Sequence, residues 1–147
     1  MPPRPRAIVA ERVEGAPAVP LPARATKGSA CLDLAAAETV ELRRGRVTLV
    51  RTGLRLRSPP GTFIEVRPRS GLATRGVLMV NAPGTIDRDF SGEVRVPMTF
   101  LADGVYRIET GDRIGQLRLV EDHAVRIRPG RVRPVASRQG GFGSTGR

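Results

Sequence analysis

A hairpin-like segment between positions 81 and 93 carries two aspartates. It reads NAPGTIDRDFSGE, with turn residues on either side of a short apolar step. Such a hairpin could present backbone amides to the edge of a base, and Asp87 or Asp89 could serve as a general base that orients water. Asp, Asn and Gly are also the residues of ordinary turns. Taken alone, the segment is therefore more typical of a plain turn.

Two further segments offer groups that suit phosphate. In PRSGLA, Ser70 is predicted to cap a short helix over 70–75, which Gly76 would end. Backbone N–H groups at a helix start attract anions, and the guanidinium of Arg69 can bind phosphate. In GDRIGQL, Gln116 could donate its amide to another phosphate oxygen, while the neighbouring Asp and Arg also fit a turn with an ion pair.

An isolated acid and a glycine-rich tail complete the set of five segments. Asp33 lies in the apolar stretch SACLDLAA, where a carboxylate needs either a hydrated Mg²⁺ on a triphosphate or an arginine as its partner. In the tail QGGFGSTG, glycines allow close backbone approach and Phe142 offers a flat face for a base. Composition alone predicts a disordered tail there.

Composition limits the classes of protein that remain. A chain of 147 residues fits one domain. The 25 Lys+Arg against 14 Asp+Glu give a net charge of +11, which indicates an anionic partner or an arginine-rich coding bias. One Cys and one His exclude an intrachain disulfide and a Cys/His zinc site within one chain. No stretch approaches the ~18 apolar residues of a membrane span, and a secretion signal is lacking, so a cytoplasmic location is expected.

Short strands are the elements predicted to hold these groups. Apolar and polar residues alternate at 46–51, 54–57, 62–67, 76–80, 93–100, 105–109, 116–120 and 124–128, with turn residues between the runs. This pattern predicts an antiparallel sandwich or barrel. Pro97 predicts a bulge or a sheet edge. The chain up to about Lys27 and beyond Arg131 lacks periodicity and is predicted to form arms.

Taken in their order along the chain, the five segments resemble the five motifs of the trimeric deoxyuridine triphosphatases (dUTPases), from about Leu21 to Gly146. The resemblance implies an all-β fold, a distorted β-barrel or jelly roll of the β-clip type with one short helix. It implies a homotrimer whose active sites are shared between subunits. It also implies a barrel domain over 1–131 and a flexible C-terminal arm over 132–147 that closes over the active site.

The resemblance further implies roles for the hairpin and its acid. Backbone groups of the hairpin would hold uracil, through Asn81, Gly84, Thr85 and Ile86. Phe90 would pack on deoxyribose and disfavour a 2′-hydroxyl. Asp87 would orient the water that attacks the α-phosphorus.

The other motifs would hold the triphosphate. Arg69, Ser70, Gly71 and Gln116 would bind phosphates, and Asp33 would reach Mg²⁺ through a bound water. The arm would place Phe142 and Gly143 at the uracil, and Ser144 and Thr145 near the γ-phosphate.

Three positions depart from the family pattern. Phe90 stands where Tyr is usual, and Cys31 stands where a Gly is common. Ser137 stands where the fifth motif usually has Arg; Arg138, one position later, could substitute as the phosphate clamp.

The resemblance therefore implies a Mg²⁺-dependent dUTP diphosphatase that releases dUMP and pyrophosphate. A dCTP deaminase or bifunctional deaminase/dUTPase of the same fold is the first alternative. A non-catalytic nucleotide-sensing or nucleic-acid-binding relative is the second. Asp87, Gln116 and Phe142 favour catalysis over the non-catalytic alternative. An aromatic content of 3% argues against binding of single-stranded nucleic acid. A membrane or nucleic-acid partner is not expected.

Overall fold

A computed structural model describes residues 6–133 of the chain. Eleven strands and one short helix follow one another in this part: β1 Val9–Arg12, β2 Leu32–Ala35, β3 Val40–Arg43, β4 Thr48–Arg51, β5 Leu54–Arg57, β6 Thr62–Arg67, α1 Ser70–Ala73, β7 Val77–Met79, β8 Gly84–Ile86, β9 Arg95–Phe100, β10 Val105–Ile108 and β11 Arg113–Glu121. The predicted all-β fold with one short helix is confirmed.

The strands form four antiparallel sheets around one core. The sheets are β1–β5, β3–β10, β2–β11–β6–β8 and β4–β9–β7. Strands alternate buried and exposed residues; in β5, for example, Leu54 and Leu56 are buried and Arg55 is exposed. One cluster of buried apolar side chains takes residues from all four sheets. Within residues 6–133, none of these sheets closes on itself, so the predicted barrel is built from separate small sheets.

The helix begins one residue earlier than the predicted cap implies. Ser70 is the first helical residue, and the N-cap position belongs to Arg69, whose backbone is extended and whose side chain makes no cap hydrogen bond. The Arg69 carbonyl accepts hydrogen bonds from the N–H groups of Leu72 and Ala73, each at 3.1 Å. The prediction of Ser70 as cap is therefore wrong. The helix also ends two residues before the predicted Arg75, because Ala73 is its last residue and a turn over 74–76 follows. Gly76 closes that turn with a φ of +80°, which favours glycine.

Pro97 lies in the middle of a central strand, where neither an edge nor a bulge is present. It faces Leu49 of β4 without a register shift, and its carbonyl accepts a hydrogen bond from Val80 at 2.9 Å. Val80 follows the last residue of β7. The N–H that proline lacks therefore falls opposite the end of β7, where the sheet does not require a donor.

Two ends of the chain differ from the prediction. Val9–Arg12, predicted as part of an arm, pairs with β5. The run at 124–128, predicted as a strand, pairs with no strand within residues 6–133, and its Ile127 is 96% exposed. Pairing partners decide both cases, because a strand is stable only against a neighbour. Among the described residues, no helix has the length and apolar character needed to span a membrane.

Candidate active site

Asp33 lies at the centre of a cluster of basic groups. Its Oδ1 is 3.2 Å from Nε of Arg69, and its Oδ2 is 3.2 Å from Nη1 of Arg113. Nη1 of Arg69 also donates to the carbonyl of Arg113 at 3.1 Å. Asp33 is partly buried, so these charge-assisted contacts fix the direction of the Arg69 guanidinium. The ion-pair alternative for Asp33 is thus observed, and Arg113 is a partner that the sequence suggested only as part of a turn.

Gln116 is brought to the same cluster by strand register. It faces Asp33 of β2 on one side of β11 and Arg67 of β6 on the other. Its side chain is partly buried and donates from Nε2 to the carbonyl of Pro68 at 2.9 Å. Pro68 directly precedes Arg69, and Ser70 and Gly71 follow as the exposed first turn of α1. All predicted phosphate-binding residues of the described chain therefore lie together.

The predicted base-binding hairpin forms the next strand of the same sheet. Gly84 of β8 faces Val66 of β6, and Ile86 faces Ile64. The peptide bond between Ala82 and Pro83 is cis. A Cβ on Gly84 would lie 3.0 Å from Nδ2 of Asn81, so the glycine lets the Asn81 amide fold against the hairpin. A small cavity is lined here by Asn81, Gly84, Thr85, Ile86, Met79 and Val94.

One sheet therefore holds both groups of residues. Gln116 faces Arg67, and Gly84 faces Val66 on the opposite side of β6. Because neighbouring strands are about 4.8 Å apart, the hairpin lies roughly 10 Å from the Gln116 strand. Buried residues on β2, β11, β6 and β8 fill the core, which leaves Asp33, Gln116 and Thr85 on the outer face of the sheet.

Asp87 and Phe90 lie beyond the end of β8, in a tight turn. The Phe90 N–H donates to the Asp87 carbonyl at 3.1 Å. Both side chains are exposed, and Asp87 lines an open depression with Arg57, Arg88 and Asp89. Within residues 6–133, no hydrogen bond or ion pair joins Asp87 to Asp33, Arg69 or Gln116. In one chain, the predicted water-orienting acid therefore does not contact the predicted phosphate-binding cluster.

A charged network that the sequence prediction did not include lies between the two groups. Glu65 of β6 is an ion-pair partner of Arg67 at 3.3 Å and of Arg118 at 3.4 Å. The alternation of polar and apolar residues along β6 and β11 was enough to predict that these charged side chains lie on the outer face. Which of them pair depends on how the two strands are aligned, and the sequence does not give that alignment. Arg138, Phe142, Gly143, Ser144 and Thr145, predicted to belong to the site, lie outside the described residues.

The donor set around Asp33 limits how Mg²⁺ could be held. Residues 6–133 contain no group of three or more His, Cys, Asp or Glu side chains arranged for a metal. Mg²⁺ in nucleotide sites is usually held by one or two carboxylates, several waters and the phosphates of the substrate. Asp33 therefore fits an Mg²⁺ shared with a bound triphosphate, and the cluster does not fit a metal held by the chain alone.

Basic groups on the outer face of an all-β sheet, next to a backbone hairpin, are the arrangement expected of a protein that binds an anionic ligand such as a nucleotide. The dUTPase family model matches residues 18–146, and the chain belongs to this family. A curated relative from Anaeromyxobacter sp. (strain Fw109-5), named deoxyuridine 5′-triphosphate nucleotidohydrolase, is 50% identical over 135 residues and covers 89% of this chain and 90% of the relative.

Solved structures share the fold. The dUTPase of Staphylococcus bacteriophage 80alpha, solved with dUpNHpp, superposes with a TM-score of 0.81 at 22% identity, over 95% of this chain and 98% of that one. A mutant dUTPase from phage phi11 of S. aureus, described for the coordination of a structural Mg(II) ion, gives a TM-score of 0.72 at 19% identity, over 84% and 96%.

Proposed function

We propose that this chain is a dUTP diphosphatase, which hydrolyses dUTP to dUMP and pyrophosphate. The observation that carries the proposal is the cluster of Asp33 on β2, Gln116 on β11 and Arg69 after β6, assembled beside the Asn81–Ile86 hairpin. The family membership and the name of the relative at 50% identity support the same activity.

The triphosphate binds at the Arg69 cluster. Asp33 accepts from Arg69 Nε and the Arg113 carbonyl accepts from Arg69 Nη1, which leaves Nη2 of the guanidinium for phosphate oxygens. Gln116 has one amide hydrogen on the Pro68 carbonyl and a second that can reach substrate. The exposed backbone at Ser70 and Gly71 adds donors without a bulky side chain in the way. Positioning of this kind supplies much of the catalysis in phosphoryl transfer.

The hairpin and the turn after it hold the nucleoside and the attacking water. Backbone groups of Asn81, Gly84, Thr85 and Ile86 bind uracil, and the Phe90 ring packs on deoxyribose. The Asp87 carboxylate accepts a hydrogen bond from water; as the oxygen bonds to the α-phosphorus, the water proton moves to Asp87 and the bond to the bridging oxygen breaks. Pyrophosphate leaves and dUMP remains.

Mg²⁺ is proposed as the cofactor. When bound to the triphosphate, it would neutralise phosphate charge, and Asp33 would hold it through a water. The arm over 132–147 is proposed to close on the nucleotide, with Phe142 and Gly143 at the uracil and Arg138, Ser144 and Thr145 at the phosphates. Residues 1–131 then form the barrel domain, and the arm completes its active site. Because its substrate belongs to the nucleotide pool, the protein is proposed to act in the cytoplasm.

We propose that three copies of the chain assemble and share these sites. The outer face of β4–β9–β7 exposes Leu49, Leu78 and Val80, an apolar surface suited to burial against another copy. The 124–128 run has strand-like alternation and no strand partner within the described residues, with Val125 84% exposed. A second copy would bury both features and could bring its Asp87 turn to the Arg69 cluster of the first.

The deciding experiment measures pyrophosphate release from dUTP, dCTP, dTTP and UTP with purified protein and Mg²⁺, and identifies the nucleotide product. Release from dUTP alone, with dUMP as product, is expected. A deaminated product from dCTP would transfer the chain to the deaminase alternative. Binding of dUTP without turnover would identify a nucleotide sensor instead.

A further inference from the structure

Gly92 lies against the ring of Phe90, two residues earlier in the chain. A Cβ placed on Gly92 would be 2.7 Å from Cζ of Phe90 and 3.2 Å from Cε2. Because real Cβ atoms do not approach carbon this closely, the ring occupies the space that any other residue at position 92 would fill. Gly92 is not among the residues with positive φ. The backbone therefore accepts any residue at position 92, and a Cβ there would meet only the far end of the Phe90 ring, which would have to shift.

The backbone on both sides of the ring is held. The Phe90 N–H closes the turn onto Asp87 at 3.1 Å. On the other side, both carboxylate oxygens of Glu93 accept from Nε of Arg51 at 3.1 Å, and one accepts from the Gly53 N–H at 3.0 Å. The Glu93 side chain is only 10% exposed. The part of this loop that can move without disturbing these anchors is the Phe90 side chain, which is 44% exposed.

We propose that Gly92 is a positioning residue whose missing side chain sets the place of the Phe90 ring and thereby the selection of deoxyribose over ribose. This inference rests on the proposed function, in which Phe90 packs on the sugar. A methyl at position 92 would displace the far end of the ring, which borders an open depression lined by Val9, Leu56 and Arg57. An aromatic face displaced by an ångström no longer excludes a 2′-hydroxyl or stacks on the sugar.

The test compares Gly92→Ala with wild type and with Gly28→Ala as the matched control. Gly28 is exposed, lies outside the site, has no positive φ, and a Cβ there would meet nothing within 4 Å. In Gly92→Ala, we expect KM for dUTP to rise and the preference for dUTP over UTP in kcat/KM to fall by about tenfold. Melting temperatures of both variants should match wild type.

A double-variant cycle separates positioning from a general effect. Phe90→Leu removes the ring and should lower the dUTP preference; adding Gly92→Ala to it should cause no further loss, because the two changes act through one ring. Wild-type selectivity in Gly92→Ala would overturn the proposal. So would its failure to fold, since the glycine would then serve the backbone.

A readout independent of activity uses the Gly92 Hα resonances. The Phe90 ring should shift them upfield in the wild-type protein without nucleotide, and Phe90→Leu should abolish the shift. Equal Hα shifts in the two proteins would overturn the packing on which the inference depends. If wild type does not hydrolyse dUTP, the proposed function fails and the selection role fails with it, whereas a ring-dependent shift would still confirm the packing.

Discussion

Asp33 and Arg69 form an ion pair across 36 positions of the chain, with Arg69 Nε 3.2 Å from Asp33 Oδ1. The second carboxylate oxygen binds Arg113, so one acid orients two guanidiniums before any substrate arrives. In the proposed enzyme, Asp33 acts both as the partner of Arg69 and as a contact for hydrated Mg²⁺. Changing this acid should therefore affect phosphate binding more than it affects folding.

The first prediction concerns Asp33→Asn. The amide keeps the shape but loses the charge that holds Arg69, so we expect kcat/KM for dUTP to fall by about 10²-fold. Stability should change by less than about 1 kcal/mol in urea unfolding, because Arg113 is exposed and Arg69 is only partly buried. Asp103→Asn, which breaks an exposed ion pair with Arg44, is the control and should leave both quantities unchanged. Wild-type kinetics in Asp33→Asn would remove Asp33 from the site.

The second prediction concerns Asp87→Asn. An amide cannot take the proton of the attacking water, so turnover should fall by about 10²–10⁴-fold while affinity for a non-hydrolysable dUTP analogue stays near wild type. Single-turnover pyrophosphate release and calorimetric binding measure the two effects. Asp89→Asn, two residues further along the same exposed turn, should keep turnover. The reverse result would assign the water to Asp89.

The third prediction concerns Glu93, the largely buried acid that follows the Phe90 turn. Glu93→Gln removes the charge that pairs with Arg51 and Arg95, leaving the partly buried Arg51 guanidinium and the exposed Arg95 guanidinium without their anion. We expect a loss of about 1–3 kcal/mol in the free energy of unfolding. Glu109→Gln breaks an exposed pair with Arg107 and should cost less than about 0.5 kcal/mol. Equal losses in the two variants would show that burial does not strengthen the Glu93 pair.

The fourth prediction concerns assembly. Sedimentation of the wild-type protein should give about three times the chain mass of 15.8 kDa. A charge in an apolar contact is costly, so Ile127→Asp in the exposed run and Leu78→Asp on the outer sheet face should each lower this mass. Val105→Asp, on the β3–β10 sheet, is the control and should retain the wild-type mass. A monomeric wild type that hydrolyses dUTP would contradict the shared site and leave the activity in place.

Local sequence was sufficient to predict many of the strands, because a strand with one buried face alternates apolar and polar residues. Leu54–Arg57 and Thr62–Arg67 were predicted with their observed bounds for that reason. The five motifs likewise indicated the family, since they depend on residue types in order along the chain. The roles assigned to these motif residues remain predictions.

Pairing between distant segments required the folded chain. Val9–Arg12 carries no clear alternation and becomes a strand through β5, whose residues lie more than forty positions away. The run at 124–128 has the alternation and finds no strand partner in the described part of the chain. Pro97 is tolerated in a central strand because its missing donor falls opposite the end of β7.

The contacts of the site depend on register in the same way. Asp33 meets Arg69 and Arg113, and Gln116 reaches the Pro68 carbonyl, because β11 aligns with β2 and β6 at particular residues. Residue types indicated that an acid, an arginine and an amide serve a nucleotide. Which of them touch is set by cross-strand distances and burial, and these exist only once the sheet has formed.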